Sequence, residues 1–210
     1  MNRKTVNLIY EKLSQSFPNA QSELEYRNHF ELLVAVILSA QATDKSVNRV
    51  TPELFEKCPT PEALLKFGEK RLKKHIQTIG LAPTKAKNII RTCRILLENH
   101  GGAVPGNRKD LEQLPGVGRK TANVVLNEGF GKHTIAVDTH VFRVSNRTGL
   151  APGKNVIETE ETLLKVTPEK WKKDAHRYLI LHGRYICKAK NFLCKECVIE
   201  QECAFPKKRL

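Results

Sequence analysis

Long hydrophobic runs are missing from this sequence. The longest uninterrupted apolar stretch, residues 32–38, is far shorter than the ~18 residues that a membrane-spanning helix needs, and it predicts a buried helix instead. The basic residues near the start are not followed by an apolar segment of ~7 to 15 residues, so we expect no secretory signal. These absences predict a cytoplasmic protein that makes no membrane contact.

Strand patterns and histidine-based metal motifs are also missing. No segment alternates apolar and polar residues in a way that predicts a strand, and the seven histidines show no metal-binding spacing. Apolar residues recur instead at helical spacing, as in Val6, Ile9, Tyr10, Leu13 and Phe17. The sequence therefore predicts an all-α fold, and its 210 residues suffice for one large domain or two small ones without disulfides.

Acidic residues are scarce relative to basic ones. The chain has 36 Lys and Arg against 22 Asp and Glu, which gives a formal net charge of +14. A surplus of this size creates a positive field that attracts polyanions. We expect nucleic acid rather than an anionic membrane, because no basic amphipathic anchor is present.

Six cysteines are present, but their distribution argues against a disulfide framework. Two stand alone in the sequence, Cys58 and Cys93. Cys93 lies on the apolar face of its predicted helix, and we predict that both are small core side chains. The other four have the spacing C-x6-C-x2-C-x5-C, which can hold zinc or a 4Fe-4S cluster and does not choose between them. These four predicted metal ligands are Cys187, Cys194, Cys197 and Cys203.

A glycine-rich turn separates two apolar helical patterns at residues 114–122, LPGVGRKTA. Gly116 and Gly118 would let the backbone adopt positive φ and approach a ligand closely. The amide groups at the start of the following helix, together with Arg119, would then bind a DNA phosphate. From spacing alone, a plain turn joining two core helices remains the alternative.

Two segments carry a family resemblance. Residues 114–122 resemble the helix-hairpin-helix of the endonuclease III family of DNA glycosylases. Residues 134–144, TIAVDTHVFRV, resemble the segment of the same family that carries its catalytic aspartate. Together with the four clustered cysteines, the likeness covers essentially the whole chain.

The resemblance implies two helical lobes with a DNA groove between them. One is a six-helix barrel over residues 22–133 with its helix-hairpin-helix at about 111–125. The other is a discontinuous domain of residues 1–21 and 134–210 that carries a C-terminal 4Fe-4S cluster loop. We expect a monomer.

The resemblance also implies catalytic roles for two residues. Lys120 stands at the position of the family's Schiff-base lysine, and Asp138 at that of its carboxylate. A free lysine amine is protonated at neutral pH, so we expect burial and the positive helix start to favour its neutral form. Asp138 would either accept a proton from Lys120 or face the cationic sugar as an anion. Without the resemblance, Lys120 would be a phosphate contact and Asp138 a helix cap.

Other positions match DNA contacts of the family. Gln41 matches a glutamine that fills the gap left by an extruded base, and Leu81 matches a second wedge, although Pro83 alters the local turn. Asp44 lines the pocket or is, like Thr43, a candidate helix cap, and His140 approaches DNA or is structural. The predicted DNA-binding residues are Gln41, Leu81, Gly116, Val117, Gly118, Arg119, Thr121 and His140.

The implied function is base-excision repair of double-stranded DNA that contains damaged bases or abasic sites. The resemblance predicts removal of oxidised pyrimidines, cleavage by β-elimination through Lys120, and a 4Fe-4S cluster at the four cysteines. One alternative is a monofunctional mismatch glycosylase, although those relatives usually carry another residue at the position of Lys120. The other is a non-enzymatic helix-hairpin-helix module that only binds DNA.

Overall fold

A computed structural model describes residues 1–20 and 22–208, and over these residues it contains helices and no strand. The predicted all-α fold is confirmed. Gln21, Arg209 and Leu210 lie outside the described residues. In chain order the elements are α1 (Arg3–Ser16), α2 (His29–Ser39), α3 (Asp44–Asn48), α4 (Thr51–Lys57), α5 (Pro61–Phe67), α6 (Glu69–His75), α7 (Ala82–His100), α8 (Arg108–Leu111), α9 (Arg119–Phe130), α10 (Thr139–Thr148), α11 (Val156–Val166), α12 (Glu169–Lys172), α13 (Ala175–Tyr185) and a 3-10 helix (Cys194–Glu196).

The chain forms two compact units. The central unit is Ser22–Gly131, and the terminal unit combines Met1–Gln21 with Lys132–Leu210. The six-helix barrel and the cluster domain stay predictions for these two units. None of the helices described is both long and apolar enough to cross a membrane.

The core of the central unit is built around α2. Its residues 30–38 are all buried, because a nearly continuous apolar sequence leaves the helix no polar face to turn toward water. Both α7 and α9 pack against it. Cys58 and Cys93 lie in this core, as predicted, and burial raises the pKa of the Cys93 thiol to about 12.

The core of the terminal unit forms where α13 packs against α1 and α10. The periodic residues of α1 predicted from the sequence point inward: Val6, Ile9, Tyr10 and Leu13 are at most 1% exposed, and Phe17 packs at the edge of the cluster. Buried helices of this kind fix the start of α10, which matters because Asp138 lies there.

Helix ends follow the sequence signals closely. Thr43 caps α3 through its side chain, so Asp44 becomes the first helical residue rather than the cap. Gly101 ends α7 in the left-handed conformation, at φ 57°. Pro83 lies in the first turn of α7, where a missing amide proton costs no helical hydrogen bond. The local turn that follows Leu81 is thus compatible with a proline.

Candidate functional site

The predicted hairpin is a tight turn that joins α8 to α9. Leu114 and Val117 are 2% and 5% exposed and anchor the turn in the core of the central unit. Because the Val117 side chain is buried, only its backbone is available to DNA. The turn therefore presents main-chain groups outward and keeps its apolar side chains inside.

Glycine is suited to the two hairpin positions for different structural reasons. Gly116 has φ +84°, and a Cβ there would lie 3.1 Å from Nδ2 of Asn88 and 3.5 Å from Ile37. Gly118 has φ −93° and ψ 179°, which any residue can adopt, and a Cβ there would meet no described atom within 4 Å. The expectation of positive φ was right for Gly116 and wrong for Gly118, because the chain is already extended where it enters α9. What Gly118 provides is open space in front of the helix start.

We expect Gly118→Ala to weaken DNA binding while leaving the fold intact. The added methyl group would occupy the space that a phosphate needs, so affinity for a duplex with an uncleavable abasic analogue should fall about three- to tenfold. Loss of the glycine cap should cost less than ~1 kcal/mol in urea unfolding. Gly116→Ala is the matched control, since its strained φ should instead lower the free energy of unfolding by about 1–3 kcal/mol. Unchanged affinity of Gly118→Ala would contradict a phosphate site at this turn.

The start of α9 carries the candidate nucleophile. Gly118 is its N-cap, and within the described part of the chain no side chain caps this helix. The amide groups of its first turn therefore face outward beside Arg119, which is half-buried, as is Thr121. Lys120 is exposed, so the predicted burial of this side chain was wrong. The buried positions of this segment are taken by Val117 and Ala122, which turns Lys120 outward.

Asp138 belongs to the terminal unit and is the N-cap of α10. Its Oδ1 accepts hydrogen bonds from the backbone N–H of His140, at 2.9 Å, and of Val141, at 2.8 Å. The preceding Ile135 and Val137 are buried and hold the strand-like entry to the helix in place. The carboxylate is half-buried, and both cap bonds end on the same oxygen. Asp138 therefore caps α10 through its Oδ1.

The His140 side chain contacts another residue of its own helix. Its Nδ1 lies 3.2 Å from Nη2 of Arg143, and that guanidinium also donates to the Gly183 carbonyl at 2.7 Å. Nε of Arg143 donates to the Cys187 carbonyl at 3.0 Å. These contacts fit a structural role for His140, and its contact with DNA stays a prediction. They also show that α10 holds the first of the four clustered cysteines.

The two predicted wedge residues share an unusual backbone conformation. Gln41 and Leu81 have φ 56° and 61°, in the left-handed region that costs about 1–3 kcal/mol for residues with a Cβ. Both are exposed, and 55% of Leu81 is accessible despite its apolar side chain. Their loops adjoin, because a Cβ on Gly80 would lie 3.8 Å from the Gln41 carbonyl oxygen. Strained, exposed residues side by side are typical of binding sites.

The four clustered cysteines line one cavity in the terminal unit, together with Phe192, Phe205 and His182. All four are free thiols of intermediate exposure. Burial raises the pKa of Cys197 to about 11 and also raises that of Cys203, so a bound cation is what would make them thiolates. Among the described residues, no three His, Cys, Asp or Glu side chains are close enough to hold a single metal ion. The four thiols thus share one cavity.

Sequence reasoning missed two residues that contact this cavity. His182 is 1% exposed, burial lowers its pKa to about 4, and its Nε2 lies 3.7 Å from Sγ of Cys197. The Arg147 guanidinium lies 3.8 Å from Sγ of Cys187 and stacks on the rings of Phe192 and Phe205, at 4.8 and 5.2 Å. It also donates to the carbonyls of residues 188 and 189. No local sequence pattern could have indicated contacts this distant along the chain.

Known proteins resemble the chain along its length. Residues 34–169 match the family described as HhH-GPD superfamily base excision DNA repair protein. The endonuclease III of Haemophilus influenzae is 55% identical over 208 residues, which cover 99% of each chain.

Two solved structures also share the fold. A trapped endonuclease III–DNA covalent intermediate, an estranged-adenine complex, has a TM-score of 0.90 at 43% identity, over 97% of this chain and 96% of that one. A thermostable thymine-DNA glycosylase has a TM-score of 0.87 at 25% identity, over 96% of each chain. The likeness is thus stronger, in both sequence and structure, to the protein that was trapped covalently on DNA.

Proposed function

The chain belongs to the endonuclease III family of base excision DNA repair proteins, and we propose that Lys120 and Asp138 carry out its chemistry. It is a DNA glycosylase and abasic-site lyase of base-excision repair, and its substrate is damaged double-stranded DNA. The observation that carries the residue assignment is the exposed position of Lys120 in the first turn of a helix whose start favours DNA phosphate.

Removal of the base is a substitution at the anomeric carbon of the sugar. The Lys120 amine forms a bond to C1′ while the bond from C1′ to the base breaks, and the base leaves with a proton. Positive charge develops on the sugar during this step. Lys120 is an exposed residue in the protein alone, so we infer that bound DNA helps to exclude water from this site.

Strand cleavage follows from the same covalent bond. Ring opening gives a protonated Schiff base between Lys120 and C1′, which acidifies the proton on C2′. Loss of that proton expels the 3′ phosphate by β-elimination. Water then hydrolyses the imine and returns Lys120 as a free amine.

Asp138 suits the role of an anion that faces the cationic sugar. Its Oδ1 is held by two backbone amides, and the positive end of α10 stabilises negative charge at the cap. This arrangement supports electrostatic stabilisation more directly than proton transfer from Lys120. The two roles predict different effects of Asp138→Asn on base removal and strand cleavage.

A duplex with one oxidised pyrimidine tests the proposed function. The lyase assignment predicts strand cleavage with a β-elimination product. Release of free base without cleavage would support the monofunctional alternative, to which the thymine-DNA glycosylase likeness at 25% identity points. Binding without release or cleavage would support the non-enzymatic alternative and contradict the assignment. We propose oxidised pyrimidines as the substrates and the cytoplasm, with its DNA, as the place of action.

We propose that the four cysteines hold a 4Fe-4S cluster. Four free thiols line one cavity, which is the four-thiolate set that such a cluster needs, and the resemblance to endonuclease III implies this cluster rather than zinc. The cluster would supply binding energy that orders the C-terminal loop, and the neighbouring Arg147 would offset its negative charge. Three lysines that lie between the cysteines in the sequence would then face DNA phosphates: Lys188, Lys190 and Lys195.

Purified protein should therefore contain about four irons per chain and absorb near ~400 nm. Cys194→Ser should lose most of this iron, and protease should then cut the last ~25 residues, because metal binding and local folding are coupled. Cys58→Ala is the control that should keep the iron, since Cys58 lies in the core of the central unit. One zinc per chain in a colourless protein would contradict the cluster.

A further inference from the structure

Lys85 is a buried lysine with an unusual partner. It lies in α7 and is 4% exposed, and its Nζ donates to the backbone carbonyl of Leu38 at 2.8 Å. Buried lysines are normally paired with a carboxylate, and no salt bridge joins Lys85 to any described residue. Burial also lowers the pKa of its ammonium group. Burying an ammonium group without a carboxylate partner costs free energy, and the residues around Lys85 indicate what role the group has.

The carbonyl that Lys85 holds lies in the last turn of α2. Helix geometry leaves the final carbonyls of a helix without a helical donor, and Lys85 provides one for Leu38. Three residues after Leu38, Gln41 adopts its left-handed conformation. At the start of α7, four residues before Lys85, Leu81 does the same. One hydrogen bond thus joins the segments that carry both wedge candidates.

The same face of α7 also supports the hairpin. Lys85, Asn88 and Thr92 follow each other at helical spacing. Asn88 packs against Gly116, and Oγ1 of Thr92 donates to the Pro115 carbonyl at 3.2 Å. This polar stripe therefore contacts the Gln41 segment at one end and the phosphate-binding turn farther along.

We propose that Lys85 is a positioning residue for base extrusion, which fixes the Gln41 and Leu81 loops against each other through the Leu38 carbonyl. The inference rests on the proposed function, because it assigns those loops to the gap that an extruded base leaves. Extrusion of a stably paired base costs several kcal/mol, so misplaced wedges slow that step most. A preformed abasic site has no base to unstack and depends on the wedges far less.

Lys85→Met tests the inference by comparing two rates on one preparation. Methionine keeps the length and removes the donor. We expect cleavage at a stably paired oxidised pyrimidine to fall about tenfold, and incision at a preformed abasic site by less than about twofold. Their ratio is independent of the folded fraction. Lys87→Met, at an exposed position of α7, controls for the lost charge and should keep the wild-type ratio. Lys85→Arg, which retains a donor, should restore most of it.

A binding measurement separates this inference from the catalytic assignment. A 2-aminopurine beside a stably paired, uncleavable analogue of the lesion nucleotide reports unstacking without any bond breaking. Wild-type protein should raise its fluorescence, and Lys85→Met should reduce that rise at saturating protein. Equal ratios and equal fluorescence for Lys85→Met and wild type would overturn the role of Lys85. Absence of cleavage by wild type, with Lys85-dependent fluorescence retained, would overturn the proposed function alone.

Discussion

Lys120→Ala is expected to abolish the covalent adduct that borohydride traps between the protein and an abasic or lesion-containing duplex. Without the amine no Schiff base forms, and strand cleavage should fall by about three orders of magnitude or more. The side chain is exposed, so the free energy of unfolding should change by less than ~0.5 kcal/mol. Thermal unfolding measured beside the trapping assay separates chemistry from folding.

Lys109→Ala is the matched control for Lys120→Ala. Lys109 is also exposed and lies in α8, just before the hairpin, so its loss removes one positive charge near the same turn. It should weaken DNA binding slightly and leave the trapped adduct at the wild-type level. If Lys120→Ala still gives the adduct, another amine is the nucleophile and the assignment is wrong.

Asp138→Asn is expected to slow base removal by about 10²- to 10³-fold at saturating substrate. Asparagine caps helices as well as aspartate does, so α10 should keep its start while the negative charge is lost. Asp138→Ala should lose the same activity and, in addition, about 1 kcal/mol of stability. Comparing the two variants separates the charge from the cap.

The preformed abasic site distinguishes the two roles of Asp138. If the carboxylate stabilises the sugar cation during base loss, Asp138→Asn should cleave a preformed abasic site far better than a lesion. If it accepts the proton of Lys120, both rates should fall together. Near-normal activity on both substrates would show that Asp138 is only a cap.

Local sequence signals predicted the elements that carry the site. The positive φ of Gly116 was predicted correctly, because backbone positions with a positive φ favour glycine. The capping role of Asp138 and the burial of Cys93 also follow from residue type and helical spacing. The cysteine spacing indicated a metal site, and the four thiols do line one cavity. Each of these features depends on neighbours in sequence.

The features that could not be predicted from the sequence depend on contacts between residues that are distant along the chain. Lys85 looks like an ordinary basic residue at a helix start, and its partner Leu38 is 47 positions away. Nothing in the local sequence distinguishes Arg147, because its partners, the carbonyls of residues 188 and 189, are about 40 positions away. The exposure of Lys120 likewise depends on the packing of Val117 and Ala122, which occupy the buried positions of this segment. The residues that align the chemistry are therefore less visible in the sequence than the residues that perform it.

The most direct test of the central claim is to find which amine of the native protein bonds to DNA. Wild-type protein is trapped with borohydride on an abasic duplex, the DNA is trimmed by nuclease, and the digested protein is analysed by mass spectrometry. We predict that the sugar remnant lies on Lys120, in the peptide that begins α9. A remnant on the N-terminal amine or on another lysine would contradict the assignment.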